Sequence, residues 1–530
     1  MGLVENPYFL TIIGILLLLF IYWLAKSTTL LINTRHSCLG SMSPYHLFLR
    51  YLAYPRTSWR VGGLDNLSPL QAVVLLLYIC ANCVANFVWT KSVSEKGTRA
   101  AHLSLINLLP LYFSGGQEFS ARLLGLSLEA YGIIHRSAGF VAVLQATVHV
   151  IISYQDMVFD VSKPTDFWGL LGGCMFLSLL LLPMVKRRVY ELFLATHLTC
   201  AVLGLISIWQ HLGSMHNMSR KYLLACICMF SITGAFQVAR ILYRNKVLGK
   251  KTVRLVMKPY TEEIVQAVLY LPRPWVVRAG ERISLGIPSL GLFYLFQSHP
   301  FAITWWEDNG EGEANSIFLM FRARTGFTRK VLKYMEPDRE YWAWIDGPFG
   351  PSPVHHYGLS REVGDYGHIL MITTGIGIAA QLPYIKELLH RRRNARIITQ
   401  KITLVWQLDR TGDWESARDW LQNLVKQDDG YMLEVMVYDP SSVDNLQEPR
   451  KIGHHDLIAF YGGKVEWKEV LSAEMQRQSG KLLVTVSARR RIRGLVRRLV
   501  RNNVWFDVEL FELEFQPWQE KRDWLSFLTP

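Results

Sequence analysis

The chain has 530 residues, 50% of them hydrophobic, with 57 Lys and Arg against 43 Asp and Glu, a formal charge of +14. It is too long for one ordinary domain and too apolar for a disordered protein. The charge is compatible with a nucleic-acid binder, a membrane protein with basic loops, or an enzyme for an anionic cofactor. Residues 1–246 carry 19 basic and 9 acidic side chains, so most of the excess lies in the apolar half. This distribution favours a membrane protein and argues against nucleic acid as a partner.

Seven apolar runs in the first half approach or reach the 20 or so residues that cross a bilayer. The third run is the shortest and is interrupted by Pro110. Basic residues cluster on one side of these runs, for example at Arg50, Arg56 and Lys186. By the positive-inside rule that side, together with the carboxy-terminal half, is cytosolic. The predicted spans are 8–32, 69–90, 99–114, 128–154, 167–185, 190–212 and 222–243.

Beyond residue 250 the sequence pattern changes. Alternating β-branched runs at 252–257 and 264–271, separated by Pro and Gly, predict a small antiparallel β-barrel. From His368 onward, strand and helix patterns alternate, and this alternation predicts a doubly wound α/β sheet. Its predicted segments are 368–374, 379–392, 402–408, 414–426 and 432–438.

Four histidines form two matched pairs. His135 and His149 are 14 residues apart on the fourth predicted span, and His197 and His211 are 14 apart on the sixth. Fourteen residues is close to four helical turns, so each pair lies on one helix face, about 21 Å apart. Because these spans run in the same direction, His135 is expected beside His197, and His149 beside His211.

A low-spin haem takes one imidazole on each face, so this spacing predicts two stacked haem sites. The alternative is four helix-packing histidines that bond to hydroxyls or carbonyls. His102, alone on the third predicted span, is expected to be structural.

The histidine spacing and the sequence His-Arg-Ser-Ala-Gly at 135–139 resemble the membrane core of the ferric reductase and NADPH oxidase superfamily. The resemblance implies two b-type haems, with His135 and His197 ligating the inner iron and His149 and His211 the outer one. Arg136 would then hold a haem propionate, although it also suits a snorkelling basic residue.

Two segments of the second half are similar to the flavin-binding parts of this superfamily. From the residues alone, the segment 299–305 is typical of core packing, and the segment that starts at Gly326 is typical of an ordinary helix cap. Gly326 and Thr328 open a predicted helix, whose free amides and dipole suit a pyrophosphate. The resemblance implies that FAD contacts both segments. The first segment consists of His299, Pro300, Phe301, Ala302, Ile303, Thr304 and Trp305.

Further motifs imply a nicotinamide site. The segment 346–350, with Gly347, Pro348 and Gly350, looks like the turn between the flavin and nicotinamide domains. Arg410, after the next predicted strand, would meet the NADP 2′-phosphate or lie on the surface. A strand–loop–helix segment resembles the nicotinamide-binding loop of fungal ferric reductases, and its glycines would let backbone amides approach a pyrophosphate. That loop comprises Thr374, Gly375, Ile376, Gly377 and Ile378.

One turn departs from the family pattern. Members usually carry Cys-Gly-Pro after the last parallel strand, close to the nicotinamide, whereas this chain has Ser487-Ala488-Arg489 and no cysteine after Cys228. The departure leaves open whether the site admits NADPH. The seven arginines from Arg489 to Arg501 predict a solvated helix or contact with anionic headgroups or NADPH phosphates.

A nicotinamide gives two electrons at once and a haem iron takes one, so a flavin is needed between them. We therefore expect NADPH to reduce FAD, and single electrons to pass through the inner and outer haems to a ferric or cupric chelate. No side chain need act as an acid or base. The resemblance implies a plasma or vacuolar membrane and coupling to a metal transporter. The expected domains are 1–98 (first spans and a cytosolic loop), 99–246 (haem), 247–360 (FAD) and 361–530 (NADP).

Two other functions remain open from the sequence. One is an NADPH oxidase that gives the outer electron to oxygen, and the equal histidine intervals argue against it, because oxidases usually have the second pair one residue closer. The other is a non-catalytic haem membrane protein whose altered turn at Ser487 no longer admits NADPH.

Overall fold

The protein is described here from a computed structural model. Contacts divide the described residues into two compact units. Residues 56–239 form the helical unit, and residues 44–55 together with 240–517 form the two-sheet unit. The predicted span 8–32 lies outside the described residues. These are 44–56, 67–113, 116–156, 159–186, 189–213, 217–246, 252–291, 294–295, 297–324, 326–350, 355–356, 359–360, 362–393, 397–410, 412–442, 449–452 and 456–517.

The α-helices dominate the first half of the chain and alternate with strands near its end. In chain order they are α1 (Pro44–Phe48), α2 (Pro69–Phe87), α3 (Val93–Leu108), α4 (Gly116–Leu123), α5 (Leu128–Asp156), α6 (Pro164–Leu181), α7 (Tyr190–His211), α8 (Asn217–Arg244), α9 (Phe327–Tyr334), α10 (Ile378–Arg393), α11 (Asp413–Gln427), α12 (Trp467–Gln476) and α13 (Arg490–Asn502). Helices α2, α5, α7, α10 and α11 begin and end within three residues of their predicted segments.

Five of the described helices are long and apolar enough to cross a membrane. They are α2, α5, α6, α7 and α8, which confirms the second, fourth, fifth, sixth and seventh predicted spans. Helix α2 begins with a capping box, in which the Ser68 hydroxyl and the Gln71 side chain bond to each other's backbone amides.

The predicted third span is not one of these five. Helix α3 begins six residues before the predicted start, and its first turns carry Glu95 and Arg99, which pair with each other. Arg99 also donates hydrogen bonds to the carbonyls of Val88 and Trp89. Most of α3 is buried among the other helices, and a 3-10 turn at Leu109–Leu111 ends it. It is therefore a largely buried helix with a charged start, shorter and less apolar than the five.

The first sheet of the two-sheet unit is antiparallel, as predicted. Its strand order is β6-β1-β2-β5-β4-β3-β7, and its strands enclose one apolar core with Leu255, Leu269 and Ile283 fully buried. The strands are β1 (Arg254–Pro259), β2 (Ile264–Trp275), β3 (Arg282–Gly286), β4 (His299–Asp308), β5 (Ala314–Arg322), β6 (Glu340–Trp342) and β7 (Trp344–Phe349), and a separate hairpin has β8 (His355–His356) and β9 (Leu359–Ser360).

The prediction of a turn at 346–350 is wrong, because Gly347 and Pro348 lie inside strand β7, which pairs with β3. Asp346 is buried there and accepts two hydrogen bonds from the Arg240 guanidinium, at 2.6 and 2.9 Å. Gly and Pro suggest a turn from sequence, but they also occur on edge strands, and β7 is the last strand of this sheet.

The second sheet is doubly wound, as predicted. Its order is β13-β14-β12-β11-β10-β15-β16, and its pairs are parallel except for β13 with β14. The chain passes from β10 to β11 on one side and later returns to β15 on the other. The carboxyl end of β10 is thus a topological switch point, where such sheets bind ligands. The strands are β10 (His368–Thr374), β11 (Lys401–Gln407), β12 (Leu433–Asp439), β13 (Arg450–Ile452), β14 (Ile458–Gly462), β15 (Leu482–Ser487) and β16 (Val508–Glu512).

A short amino-terminal segment completes the core of this sheet. Leu49 and Tyr54 are buried against residues of α13, β15 and β16, more than 400 positions later in the chain. The Leu510 amide donates a hydrogen bond to the Tyr54 hydroxyl, and the Arg50 guanidinium lies over the Trp505 ring. The sequence pattern did not predict this packing.

Candidate functional site

The two predicted histidine pairs come together in the helical unit. The ring centroids of His135 and His197 are 6.2 Å apart, and those of His149 and His211 are 6.5 Å apart. A ligating imidazole nitrogen lies about 2 Å from its metal, and its ring centre roughly 1.2 Å further, so two imidazoles on opposite sides of one iron have centroids about 6.4 Å apart. Both observed separations match the spacing that a haem iron requires.

The outer pair is oriented by backbone carbonyls. His149 Nδ1 lies 3.0 Å from the Gly97 carbonyl oxygen, and His211 Nδ1 lies 2.8 Å from that of Thr165. Since a carbonyl only accepts, the proton belongs on Nδ1 in each ring, and the Nε2 lone pair remains available to a metal. This tautomer is the one that a haem ligand needs.

Two glycines permit this geometry. A Cβ on Gly169 of α6 would lie 2.7 Å from His211 Nδ1, and a Cβ on Gly97 of α3 would lie 2.8 Å from an Ile152 methyl. Such contacts are too short for real side chains, so the two positions are restricted to glycine by the approach of neighbouring helices. The histidine spacing gave no signal for either residue.

The inner pair has a different surrounding. His135 Nδ1 and His197 Nδ1 are buried and have no hydrogen-bond partner among the described residues. Aromatic rings pack beside both, with Tyr131 at 6.3 Å from His135 and Phe193 at 5.4 Å from His197. A Cβ on Gly132, one turn before His135, would meet only the Arg136 guanidinium, at 3.7 Å. The pair is therefore held by packing, and the space beside it suits a flat ring.

The predicted flavin segment divides into two parts. His299, Pro300, Phe301 and Ala302 begin β4 and are at least partly exposed. The other three residues are buried: Thr304 accepts a hydrogen bond from the Met320 amide, and the Trp305 ring stacks on Trp420. The first four residues thus present exposed side chains to a ligand. Ile303, Thr304 and Trp305 are buried, and Ile303 also lines the cleft described below.

The second predicted flavin element lies beside the first. The ring of Phe327, the first residue of α9, stacks on the His299 ring at 4.0 Å. Gly326 precedes the helix with φ of 70°, a backbone conformation that favours glycine. The Thr328 hydroxyl accepts a hydrogen bond from the Arg324 amide, at 2.8 Å. The structure therefore brings together the strand and the helix start that the sequence assigned to FAD.

A cleft opens between the first sheet, helix α10 and the carboxy-terminal segment. It encloses about 390 Å³, including space open to solvent. Ala302 of the flavin segment lines it, as do Ala380 from the start of α10 and Phe515. An ion pair between Arg282 and Glu514 lies in its wall. The sequence pattern did not predict a role for Phe515 or this ion pair.

The predicted nicotinamide loop lies at the carboxyl end of β10. Gly375–Gly377 form a 3-10 turn that leads into α10, and the Trp406 indole beneath it donates a hydrogen bond to the Gly375 carbonyl, at 2.9 Å. Gly375 has a φ of 48°, which favours glycine. Thr374 is buried, and its hydroxyl accepts a hydrogen bond from the Arg489 amide. The loop has the position expected of a dinucleotide site.

This loop is covered by its own chain. Gly375, Ile376, Gly377 and Ile378 are all buried, and a Cβ on Gly375 would lie 2.2 Å from the Asp409 carboxylate. Asp409 itself pairs with Arg489, at 3.0 Å. Burial raises the pKa of Asp409, and the Arg489 charge opposes that rise only in part.

The remaining nicotinamide residues are dispersed. Arg410 pairs with Glu263 of the first sheet, at 2.5 Å, and stays largely exposed. Gly347 and Pro348 lie in β7, and Gly350 directly follows it. The structure therefore groups only Thr374 to Ile378 with the turn after β15. Asp409 and Arg489 are the residues near the loop that the sequence pattern did not single out for this site.

Comparisons with known proteins agree on both halves of the chain. Residues 100–208 match the family described as ferric reductase like transmembrane component, and residues 366–486 match the ferric reductase NAD binding domain. The first match contains all four paired histidines except His211, and the second contains the loop at Gly375.

Similar curated proteins are fungal. A probable cell surface ferric reductase kap2 of Aspergillus oryzae is 23% identical over 56% of this chain and 41% of its own length. Ferric/cupric reductase transmembrane component 7 of Saccharomyces cerevisiae is 27% identical over 60% of this chain and 51% of its own length. The chain thus spans about half or less of these relatives.

Among solved structures, a ferredoxin NADP+ reductase from Neisseria gonorrhoeae with bound FAD and NADP is 13% identical, with a TM-score of 0.33, and covers 49% of this chain and 97% of its own. A flavohemoglobin from Malassezia yamatoensis is 11% identical, with a TM-score of 0.38, and covers 80% of this chain and 99% of its own.

Proposed function

We propose that the chain, whose two matched segments are ferric reductase domains and whose similar relatives are ferric and cupric reductases, is a transmembrane NADPH-dependent metalloreductase. It takes electrons from NADPH on the cytosolic face and delivers them to a ferric or cupric chelate on the opposite face. The observation that carries this proposal is the pair of imidazole pairs, with centroids 6.2 and 6.5 Å apart at two levels of the same two helices.

When bound, the flavin would split a hydride into single electrons and the two haems would offer a one-electron route across the bilayer. The chain's part is to hold these groups at fixed positions. His135 and His197 ligate at one level and His149 and His211 at the other, and the 14-residue interval sets the levels about 21 Å apart. The carbonyls of Gly97 and Thr165 keep the outer rings in the ligating tautomer.

In the two-sheet unit, His299 to Ala302 and the start of α9 form the FAD surface, where partly exposed side chains meet a helix amino terminus. The loop at Gly375 receives the dinucleotide. We assign haem binding to residues 99–246, FAD to 247–360 and NADP to 361–530. The basic loops support a cytosolic two-sheet unit. We assign the helical unit to a plasma or vacuolar membrane, where the reduced metal would pass to a transporter.

The test uses membranes that contain the full chain. Under nitrogen, NADPH should produce the absorption bands of reduced haem, and an added ferric chelate should then return them to the oxidised form. Reduction by dithionite but not by NADPH would overturn the metalloreductase proposal and favour a non-catalytic haem protein. If oxygen reoxidises the bands and chelates do not, the protein is an oxidase.

Ligation is tested separately by counting haem. His149→Ala and His211→Ala should each lower the haem content of the purified chain from two to one, because each removes one axial ligand of the outer site. His102→Ala is the matched control, since His102 lies in the same unit, belongs to neither histidine pair, and its ring lies 6.4 Å from that of Tyr222. Retention of both haems in His149→Ala would refute the ligand assignment.

A further inference from the structure

The turn after β15 places an arginine over the loop that should receive the dinucleotide. Arg489 follows β15, and Asp409 follows β11, and these two strands flank β10. Neighbouring strands are about 4.8 Å apart, so the ends of β11 and β15 are separated by roughly 10 Å. The Arg489–Asp409 pair bridges this distance across the end of β10. An Arg489 guanidinium nitrogen lies 3.0 Å from an Asp409 carboxylate oxygen. The same carboxylate lies so close to Gly375 that a Cβ there would be 2.2 Å from it.

The backbone amides of Ala488 and Arg489 already donate hydrogen bonds within the protein, so they are not available to a phosphate. The Ala488 amide donates to the Gln516 side chain, and the Arg489 amide donates to the Thr374 hydroxyl. The Arg489 side chain is different, because it is 46% exposed. A guanidinium has five N–H donors and one carboxylate oxygen cannot satisfy them all.

The buried Asp409 carboxylate has few groups around it that stabilise its negative charge. Asp409 is 4% exposed, and its Oδ1 is buried without a hydrogen-bond partner among the described residues. Asp413, also buried, lies nearby and pairs with Arg322, whose guanidinium is 3.8 Å from Asp409. Losing Arg489 would leave Asp409 with one longer ion pair, which is costly for a buried charge.

Resting on the proposed function, we infer that Arg489 is the pyrophosphate-binding residue of this site and that Asp409 holds it closed until a dinucleotide binds. A pyrophosphate carries two negative charges and accepts bidentate hydrogen bonds from a guanidinium, so it competes with a single carboxylate. Movement of Arg489 to the ligand uncovers the loop at Gly375. The arginine thus replaces the small turn that the family resemblance led us to expect.

The test measures the dissociation constant of NADP+ for the purified full chain, by the fluorescence of tryptophans such as Trp406 beneath the loop. Arg489→Ala should weaken NADP+ binding by about 10- to 100-fold, the range for charge-assisted hydrogen bonds. Asp409→Asn should tighten it by about tenfold, because the closing partner loses its charge. Arg489→Lys should fall between the wild type and Arg489→Ala, since lysine keeps the charge without the fork.

Arg491→Ala is the matched control. Arg491 is exposed in α13, the helix that directly follows Arg489, and its loss changes the net charge equally. Inorganic pyrophosphate should displace NADP+ from the wild type and the control, and displacement from Arg489→Ala should need far higher concentrations. Equal effects of Arg489→Ala and Arg491→Ala would overturn the inference. If Asp409→Asn does not fold, the comparison of Arg489→Lys with Arg489→Ala still decides it.

The outcomes separate this inference from the proposed function. A wild type that reduces ferric chelates with NADPH, but whose NADP+ binding is indifferent to Arg489, refutes the inference alone. Arg489-dependent binding of NADP+ in a chain that reduces no haem supports the inference and refutes the metalloreductase. Absence of NADP+ binding in the wild type and in Asp409→Asn alike refutes both.

Discussion

The helical unit and the two-sheet unit present their candidate sites in opposite ways. In the helical unit the paired histidines already stand at the separation that a metal requires, the inner rings held by packing and the outer rings by hydrogen bonds to the backbone carbonyls of Gly97 and Thr165. In the two-sheet unit the glycine loop is in the right place but is buried under side chains of the same chain. A permanently bound cofactor favours the first arrangement, whereas a substrate that must enter and leave favours the second.

The largest expected effect comes from Gly169→Ala in the helical unit. The new methyl group would overlap His211 Nδ1, at 2.7 Å, and displace the ring from the outer site. We expect the haem content of the purified chain to fall from two to one per chain. Gly173→Ala on the same helix is the control, because nothing lies within 4 Å of its new Cβ. A preformed site that kept both haems in Gly169→Ala would contradict the histidine assignment.

The next effect is on the covered loop. Gly375→Ala places a Cβ 2.2 Å from the Asp409 carboxylate at a positive φ, which an alanine adopts at a cost of about 1 kcal/mol before any overlap. NADP+ binding, measured by titration, should weaken by at least about tenfold. Gly494→Ala in α13 is open on all sides and should leave binding unchanged. If both variants bind NADP+ as the wild type does, the loop is not part of the dinucleotide site.

A smaller effect concerns a buried charge at the opposite end of the same sheet. Burial disfavours the ionised Glu474, but hydrogen bonds from His368 and Thr403 and the nearby Lys401 outweigh it and lower the pKa of this carboxyl below 4.5. Stability from Glu474 is therefore present above pH 4.5 and is lost as the pH falls through the lowered folded-state pKa.

Glu474→Gln should lower the free energy of local opening of β10 and β11, measured by amide hydrogen exchange, by about 2 kcal/mol. It should also flatten the acid dependence of that free energy. Glu469→Gln, on the exposed side of the same helix, should change neither. An unchanged exchange rate in Glu474→Gln would show that the buried pair contributes nothing to the sheet.

The smallest effect belongs to Lys386 of α10, which donates a hydrogen bond to the Trp306 carbonyl and lies over the rings of Trp305 and Trp306. Burial lowers the pKa of Lys386 to about 8, against the opposing charges of Asp308 and Glu307. The unfolded chain then holds one more proton between pH 8 and 10.5, so stability rises with pH in that window.

Lys386→Met should remove this rise, which thermal unfolding of the full chain between pH 8 and 10 can measure. Lys468→Met, at an exposed position, should retain it. A rise that persists in Lys386→Met would assign the titration to another group.

Local patterns were predictable from the sequence and distant contacts were not. The histidine pairs followed from a 14-residue interval because helix geometry repeats along the chain. Strand β10 matched its predicted bounds because the apolar run from Ile369 to Ile372 and two β-branched threonines precede the glycines of the loop. The bounds of helix α3 were misjudged, because its first turns carry Glu95 and Arg99, which an apolar pattern leaves out.

The parts of the site that sequence reasoning missed depend on residues far apart in the chain. Arg489 meets Asp409 across 80 positions, and no periodicity links them. The flavin segment was predicted as one ligand surface, but burial is uneven along β4, and Ile303, Thr304 and Trp305 are buried while the four residues before them are at least partly exposed. Gly169 stood out only once His211 was seen against it.

The contact between Tyr54 and Leu510, 456 positions apart, has a consequence for the order of assembly. The ribosome delivers Tyr54 456 residues before Leu510, so the earlier segment has no partner at this surface while the intervening chain is made. A fragment that starts at residue 247 would expose the apolar surface that Leu49 and Tyr54 cover, and it should aggregate. A synthetic peptide of residues 44–55 should bind that fragment and keep it in solution.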